Sequence, residues 1–232
     1  MTLEQLGIAR IRAGNPGPLT LSGTNTWVVG RDPAWVIDPG PALPEHLDAV
    51  AAEVEARGGA GGIAVTHSHA DHIEGAPALS ERLGVPITAE GAPFDVLPLP
   101  GHADDHVVYV AGRAAFTGDA VLGEGSVFVS GRLNEYLAGL RRLRALDLAV
   151  LCPGHGDEVW DPAGKLDQYL AHRAERERML REALARGVRD ENALLDAAWA
   201  DAPPEVRPFA AVSLRAHLEK LREEGRTWES AP

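Results

Sequence analysis

The stretch Thr66-His67-Ser68-His69-Ala70-Asp71-His72 places three imidazoles and one carboxylate within six residues. Residues 62–65, directly before it, are apolar and predict a buried strand. If the chain stays extended beyond that strand, His67 and His69 project to the same side, and Asp71 follows in the same register. Imidazole and carboxylate ligands at this density suit zinc, manganese or iron, so the stretch predicts a metal site.

Two simpler interpretations of this stretch stay open at this point. Asp71 and Glu74 have the spacing of a helix capping box, a role that is compatible with metal binding. His67 and His69 can equally be loop histidines. His72 comes where the backbone turns into the next predicted helix, residues 77–83.

Length and composition indicate a soluble globular protein. The chain has 232 residues, of which 45% are hydrophobic and 24% charged, enough for one large domain or one domain with a small appendage. Residues 1–6 show no signal-peptide pattern, and no apolar run approaches the length that spans a membrane. Cys152 is the only cysteine, so an intrachain disulfide is impossible and a reducing compartment is expected. These features predict a cytoplasmic protein without a membrane partner.

The net charge is strongly acidic but unevenly distributed. A formal charge of −12 argues against a broadly basic nucleic-acid-binding surface. Residues 131–189 nevertheless carry 11 Lys and Arg against 9 Asp and Glu, which leaves −14 on the rest of the chain. This region is therefore the part of the chain best suited to contact an anionic substrate.

Strand-like and helix-like segments alternate through the first two thirds of the chain. Extended segments are predicted at residues 24–29, 34–37, 62–65, 85–88, 94–97, 107–110, 114–117 and 148–151, and helices at 43–57, 77–83 and 133–146. This alternation predicts a layered α/β domain.

Further ligand-type side chains recur where the strand-like segments end. His102, Asp119 and His155 each follow a glycine at such an ending. Side chains at the ends of neighbouring strands can converge on one site, and an adjacent glycine permits a tight turn close to a bound ion. Taken jointly and in this order, these endings predict one metal centre assembled from distant parts of the sequence.

The array Thr-His-Ser-His-Ala-Asp-His, Pro-Gly-His, Gly-Asp and Pro-Gly-His-Gly resembles the metal-binding signature of the metallo-β-lactamase superfamily. Within that superfamily the chain is most similar to the β-lactamase-like endoribonucleases that act on single-stranded RNA in mitochondria, and to their bacterial relatives. Residues 23–26, 101–106, 122–125 and 172–173 carry this narrower resemblance. It implies an α/β fold, the four-layer αββα metallo-β-lactamase sandwich.

The resemblance also implies a dinuclear metal centre with seven ligands. His67, His69 and His102 would hold one ion, Asp71, His72 and His155 the other, and Asp119 would bridge both. Two divalent cations, zinc first and manganese or iron as alternatives, would lie ~3.5–4 Å apart with a hydroxide between them as the nucleophile. Asp71 would also orient the proton of this hydroxide, so Asp71 and Asp119 are the predicted catalytic residues.

A few residues outside the ligand set have predicted roles. Asp38 is the candidate for a hydrogen bond to a metal-bound imidazole, although it can equally be an ordinary residue of an Asp-Pro-Gly turn. His106 is expected to be a structural hydrogen-bonding residue, and Cys152 a buried small residue. Residues 91–100 form a shorter segment than in the resembled family, in a region that borders the active site.

The composition changes after residue 162, and we divide the chain there. Residues 1–163 are predicted to form the metal domain and residues 164–232 a C-terminal helical subdomain. Helices are predicted at residues 165–186, 192–200 and 208–224, followed by a wing or short strand at 225–228. This region resembles the winged-helix-like C-terminal part of the same endoribonucleases. Because its third helix carries as many acidic as basic residues, we expect it to pack on the metal domain and shape the rim of the site.

The sequence leaves several functions open. The first is a phosphodiesterase acting on single-stranded RNA, and the arginines expected to contact RNA phosphates are Arg132, Arg141, Arg142, Arg173 and Arg176. The second is a thioester or carboxylic ester hydrolase of the hydroxyacylglutathione hydrolase kind, which the acidic charge favours. A mononuclear-iron oxygenase would not require the second set of ligands. A non-enzymatic nucleic-acid-binding protein would require neither set. The sequence makes no prediction of the oligomeric state.

Overall fold

Two four-stranded sheets form the centre of the molecule in a computed structural model that describes residues 1–225. The first sheet contains β1 (Ile8–Arg12), β2 (Asn25–Val29), β3 (Ala34–Ile37) and β4 (Ala60–Ala64), in that order. The second contains β5 (Asp95–Pro98), β6 (Val107–Ala111), β7 (Ala114–Gly118) and β8 (Val150–Pro153), in that order. In each sheet the first two strand pairs are antiparallel and the last pair is parallel, so the two sheets repeat one pattern.

Seven helices lie outside the two sheets within residues 1–225. They are α1 (Pro44–Ala56), α2 (Ala70–Ile73), α3 (Ala76–Leu83), α4 (Leu133–Arg144), α5 (Pro162–Ala185), α6 (Glu191–Ala198) and α7 (Arg207–Glu223), and a single 3₁₀ turn, Glu4–Leu6, precedes β1. No helix within residues 1–225 is both long and apolar enough to cross a membrane.

Three apolar clusters hold four layers together. Trp27 and Val29 of β2 pack between the sheets against Phe116 of β7, whereas Val28 packs outward against α1. This alternation follows from the two-residue period of a strand, and it explains why β2 is buried on both faces. On the far side, α4 and α5 cover the second sheet, with Tyr136 in that core. The four-layer αββα sandwich predicted from the resemblance is confirmed.

The C-terminal helices form a core of their own that is joined to the first domain by α5. Leu166 near the start of α5 packs into the core of the second sheet, whereas Leu180 near its end packs with α6 and α7. The three predicted C-terminal helices are present. A helix shared by two cores gives no sharp boundary, so the division at residues 163 and 164 stays a prediction. The predicted wing falls on residues 226–228, outside the described residues, apart from Gly225 in the turn after α7.

Three details of the secondary structure differ from the expectation. The strand β1 was not predicted, because Arg10 and Arg12 interrupt its apolar residues. Residues 85–88 form no strand, and only Ile87 makes a bridge to the first sheet. The capping-box interpretation of Asp71 is wrong, since Asp71 lies inside α2 and no side chain caps that helix.

Candidate metal centre

The seven residues predicted as metal ligands lie together beyond the carboxyl ends of four strands. His67 and His69 follow β4, His102 follows β5, Asp119 follows β7 and His155 follows β8. They form two groups, in each of which the possible ligand atoms all lie within 4.8 Å of one another. The first group contains His67, His69, His102 and Asp119, and the second contains Asp71, His72 and His155.

The second group has nearly tetrahedral spacing once Asp119 is included. His72 Nε2 lies 3.3 Å from His155 Nε2, and Asp119 Oδ1 lies 3.4 Å from each of these nitrogens. Asp71 Oδ2 lies 3.5 Å from His72 Nε2 and 3.1 Å from His155 Nε2. Zinc bonds of ~2.0–2.1 Å in a tetrahedron separate the ligand atoms by roughly 3.3–3.4 Å, so four donors are placed as such an ion requires.

The first group is equally close, and Asp119 faces both groups. His69 Nδ1 lies 3.0 Å from His67 Nε2 and 2.9 Å from His102 Nε2, and Asp119 Oδ2 lies 3.5 Å from the same atom of His102. The other carboxylate oxygen of Asp119 is buried without a hydrogen bond. One oxygen of this carboxylate therefore faces each group, which is the placement that a bridging ligand needs.

Oxygen atoms around the cluster fix the outward nitrogen of four of its imidazoles. His67 Nδ1 lies 3.0 Å from Thr66 Oγ1, and His72 Nδ1 lies 2.9 Å from Asp38 Oδ2. The main-chain oxygen of Phe128 lies 3.4 Å from His102 Nδ1, and that of Gly23 lies 3.4 Å from His155 Nδ1. A ring nitrogen that donates outward leaves the lone pair of the other nitrogen facing the cluster, where a cation would bind it. The donor set thus fits two divalent ions.

Asp38 contacts this cluster as predicted. Its carboxylate is 1% exposed and also accepts hydrogen bonds of 2.7 Å from the main-chain N–H and the hydroxyl of Thr66. The residue has a positive φ of 52°, at the start of the predicted turn. The two interpretations of Asp38 therefore describe one residue, which forms the turn and orients His72.

Charges within the cluster compensate one another in the chain without metal. Burial opposes ionisation of Asp71, yet the hydrogen bond from His155 and the charge of His72 lower the pKa of Asp71 to about 2. Burial likewise disfavours the charged imidazoles, but Asp119 and Asp38 raise the pKa of His72, and Asp119 and Asp71 raise that of His155 to about 9. Without metal, the protons on these two imidazoles supply the positive charge of the cluster. A bound cation would replace the protons and supply that charge instead.

His106 has the structural role that was predicted for it. Its Nε2 accepts the main-chain N–H of Asp119 at 3.1 Å, which fixes the turn after β7. Burial and the charges of nearby histidines lower the pKa of His106 to about 3, so it is a neutral acceptor. Cys152 is fully buried between the sheets, as predicted.

Glycine at residue 154 permits the close approach of the ligands. A Cβ atom on Gly154 would lie 2.5 Å from His72 Cε1 and 2.6 Å from Asp119 Oδ1. Real Cβ atoms essentially never show such distances, so the glycine before His155 is needed for space. The sequence pattern Pro-Gly-His is explained here by packing around the metal ligands.

A cavity of about 1120 Å³ opens onto the cluster. It is lined by the predicted ligands His69, Asp71, His102, Asp119 and His155. The C-terminal region and the loops before β2 and after β7 add apolar residues to its lining: Pro18, Leu19, Leu21, Phe128, Trp199, Pro203, Val206, Phe209 and Ala210. The C-terminal region therefore shapes the approach to the cluster, as expected for a subdomain packed on the metal domain.

The five arginines predicted to contact RNA do not lie on one surface. Arg173 and Arg176 line the large cavity but are themselves buried. Arg132 and Arg142 line a separate pocket of about 240 Å³, and Arg141 is exposed on α4 and lines neither. Arg132 is moreover paired with Glu135, and Arg176 with Asp201. The local charge of residues 131–189 thus does not form a continuous basic track.

Sequence reasoning missed the residues that support the ligands. Thr66 is buried between Asp38 and His67, and Thr24 Oγ1 lies 3.4 Å from Asp71 Oδ2. Thr24 lies within the segment that carries the narrower family resemblance, which is the one signal that pointed to it.

Comparisons with known proteins agree with this geometry. A model of the Metallo-beta-lactamase superfamily matches residues 19–96 and 90–155, and one of the Beta-lactamase associated winged helix domain matches residues 192–231. A metallo-beta-lactamase family protein from Thermus thermophilus has a similar fold, with a TM-score of 0.73, 22% identity and 94% of each chain covered.

Two curated relatives resemble nearly the whole chain. The Lactamase-like protein nscB of Arthroderma benhamiae is 32% identical over 94% of this chain, which spans 58% of that protein. The Beta-lactamase-like protein 2 homolog of Caenorhabditis elegans is 28% identical over 94% of this chain and 85% of that protein. The family match covers more than half of the chain and contains the strands from β2 to β8 and all seven clustered ligands. The chain belongs to the metallo-beta-lactamase superfamily.

Proposed function

We propose that this protein is a dinuclear metal-dependent hydrolase that cleaves a carboxylic ester or thioester of metabolite size. Members of its superfamily are generally hydrolases with metal sites. Zinc is the first expected metal, and the same nitrogen and oxygen donors also suit manganese or iron. The proposal adds the substrate class, for which the cavity is the main support.

The cavity is the single observation that carries this choice. Its volume of about 1120 Å³ is slightly above the roughly 300–1,000 Å³ of small-molecule sites, and much of its lining is apolar. A substrate whose scissile group lies at the ligands would therefore place an apolar part against Phe128, Val206 and Phe209. Burying such a part stabilises the complex by about 25 cal/mol per Å² of apolar area.

The residues of the cluster would have different roles in hydrolysis. Two divalent ions held here would lower the pKa of bound water towards neutrality and polarise a substrate oxygen. Asp71 lines the cavity with a side chain 30% exposed, so it is placed to take a proton from an attacking water. Asp119, with a side chain 10% exposed, is placed to hold the two halves of the cluster together.

Charge also favours a small substrate over a nucleic acid. The net charge of −12 repels a polyanion, and only two of the five arginines predicted to contact RNA, Arg173 and Arg176, line the cavity. Binding a single strand requires a groove whose positive charges follow the backbone. The described residues offer such charges only in separate places.

Single-stranded RNA is the second candidate substrate. The match to a winged helix domain and the likeness to beta-lactamase-like protein 2 support it. Phe128 and Phe209 also stack in the cavity wall with ring centroids 5.2 Å apart, and aromatic rings of this kind can stack on bases.

Turnover by the metal-loaded chain tests the proposal. The substrates are a series of 4-nitrophenyl esters of increasing acyl length, S-lactoylglutathione and a labelled single-stranded RNA. We expect hydrolysis of esters or thioesters, with kcat/KM rising with acyl length, and loss of it in Asp119→Ala. The control Asp147→Ala, an exposed carboxylate remote from the cluster, should keep wild-type rates. Cleavage of RNA without turnover of any ester would overturn the choice in favour of the second candidate.

A further inference from the structure

Arg173 on α5 is a buried cation whose partners among residues 1–225 are all neutral. Its side chain lines the large cavity although the residue is 2% exposed. Its Nη2 donates to the carbonyl of Val127 and to Ser126 Oγ at 3.3 Å, and its guanidinium lies 5.8 Å from the ring centroid of Tyr136. Its Nε–H is buried and has no acceptor in the part of the chain that the structure describes. The charge of this guanidinium is therefore not neutralised by the protein around it.

The other buried basic residues within residues 1–225 all have a carboxylate partner. Arg57 pairs with Glu53, and Arg176 pairs with Asp201. Lys220 pairs at 2.6 Å with both Glu177 and Glu224. Arg173 forms no such pair in that part of the chain. Because an unpaired charge is costly to bury, a site that retains one has a place for a negatively charged ligand.

Residues 126–128 connect Arg173 to the metal centre. The carbonyl of Phe128 lies 3.4 Å from Nδ1 of the predicted ligand His102, and the carbonyl of the preceding residue, Val127, accepts the hydrogen bond from Arg173. His102 and Arg173 also line the same cavity. A ligand that occupies this cavity can therefore contact both the metal centre and the Arg173 side chain.

The neighbouring side chains do not take over this role. His172 also lines the cavity, but burial and the charges of Arg173 and Arg176 lower its pKa to about 4, which leaves it neutral near pH 7. Arg176 is held by both carboxylate oxygens of Asp201 at 2.7 Å. Arg173 is the cation left for a substrate.

We propose that Arg173 binds an oxyanion, a carboxylate or a phosphate, that the substrate carries away from its scissile bond. The inference rests on the proposed function, and it specifies the substrate as an acidic ester or thioester. Arg173 would act by binding the substrate and not on the reacting atoms. Its loss should therefore raise KM and leave kcat nearly unchanged.

Binding of small anions tests this inference without any turnover. The metal-loaded full chain is titrated by calorimetry with glutarate and, separately, with inorganic phosphate. We expect Arg173→Met to weaken binding of at least one anion about tenfold to a hundredfold, as for a charged hydrogen bond, and Arg173→Lys to weaken it less. The control is Arg178→Met, an exposed arginine of the same helix that is paired with Glu175 and Glu182. An effect on glutarate alone indicates a carboxylate, and an effect on phosphate alone indicates a phosphate. Equal binding of both anions by wild type and Arg173→Met overturns the inference.

Kinetics with a matched pair of esters then tests the substrate class. The 4-nitrophenyl monoester of glutaric acid and 4-nitrophenyl valerate have similar length and differ in the terminal carboxylate. We expect Arg173→Met to raise KM about tenfold for the acidic ester and less than about twofold for the neutral one, provided that circular dichroism shows an intact fold. Equal losses on both esters would show a structural residue and overturn the inference. If neither ester is hydrolysed, the proposed function fails, while the titration still decides the role of Arg173.

Discussion

Asp38 Oδ2 lies 2.9 Å from His72 Nδ1, so the turn that follows β3 orients a predicted metal ligand located 34 residues further along the chain. The same carboxylate accepts two hydrogen bonds from Thr66, whose hydroxyl in turn lies 3.0 Å from His67 Nδ1. One buried carboxylate thereby fixes an imidazole in each of the two ligand groups. Residues that hold ligands in this way affect metal affinity nearly as much as the ligands do.

Substitution of Asp38 should weaken metal binding without removing a ligand. Asp38→Asn keeps the shape of the side chain but replaces one accepting oxygen by a donor, which cannot accept from His72 or Thr66. We expect the affinity for zinc to fall ~10–100-fold, measured by competition with a chromophoric chelator. Asp48→Asn is the control, because that carboxylate is exposed and pairs with Arg82 on the surface. An unchanged affinity in Asp38→Asn would contradict the assigned role.

The clustering of the predicted ligands could be expected from the sequence because each of these residues belongs to a short local pattern. His67 and His69 follow an apolar strand, and His102, Asp119 and His155 each follow a glycine. A strand end next to a glycine can be recognised from a few consecutive residues, and the fold brings such ends together. The layered α/β architecture could be predicted for the same reason, since apolar periodicity is a local property, whereas the four layers were predicted from the family resemblance.

The surroundings of the site could not be predicted in the same way. The carbonyls of Phe128 and Gly23 contact ligands, but every residue has a carbonyl and no sequence pattern marks these two. The position of an arginine on a helix face depends on how that helix packs. Arg173 is therefore buried beside the cavity whereas Arg141 is exposed, although both come from the same basic region.

Removal of Asp119 should affect both metal sites together. Its two oxygens face His72 and His155 on one side and His102 on the other. After dialysis, we expect Asp119→Ala to hold on average less than one metal ion per chain, where two can bind to the wild type. Its loss of activity should be about tenfold larger than that of His102→Ala. Elemental analysis and ester turnover measure the two effects.

His106 provides the check on folding for this variant. It binds the main-chain N–H of Asp119 and not the side chain, so the turn should survive in Asp119→Ala. Near-UV circular dichroism should therefore match that of the wild type. Retention of two tightly bound ions by Asp119→Ala would rule out a bridging carboxylate.

Adding one methyl group at residue 154 should disturb the ligands. In Gly154→Ala the new Cβ would lie 2.5 Å from His72 Cε1, so the imidazole must move. We expect a loss of about 1–3 kcal/mol in the free energy of unfolding together with weaker metal binding. Gly14→Ala is the matched control, because a Cβ there meets no atom within 4 Å. Equal stability and affinity of the two variants would show that the cluster has more room than the distances indicate.

His217 on α7 should make the stability of the C-terminal helices depend on pH. The side chain is 1% exposed, neither ring nitrogen has a hydrogen-bond partner, and it lies against the ring of Trp199. Burial and the positive charges of Arg173 and Lys220 lower its pKa to about 3. In the unfolded chain the pKa returns to about 6.5, so between these two values the unfolded state binds more protons than the folded state.

The free energy of unfolding should therefore fall as the pH decreases from 6.5 towards 3, by up to ~1.4 kcal/mol per pH unit for this one group. Neither His217→Leu nor His217→Gln can take up that proton. Each should lose roughly 2 kcal/mol less stability than the wild type between pH 6.5 and pH 5. Urea unfolding of the metal-free chain at both pH values measures the difference, and contributions from the other histidines cancel in the comparison. The leucine and glutamine side chains differ in polarity, but neither takes up a proton in this pH range. If both variants show the same reduced dependence of stability on pH, the effect comes from the lost proton. A wild-type slope in both variants would mean that His217 becomes protonated in the folded chain.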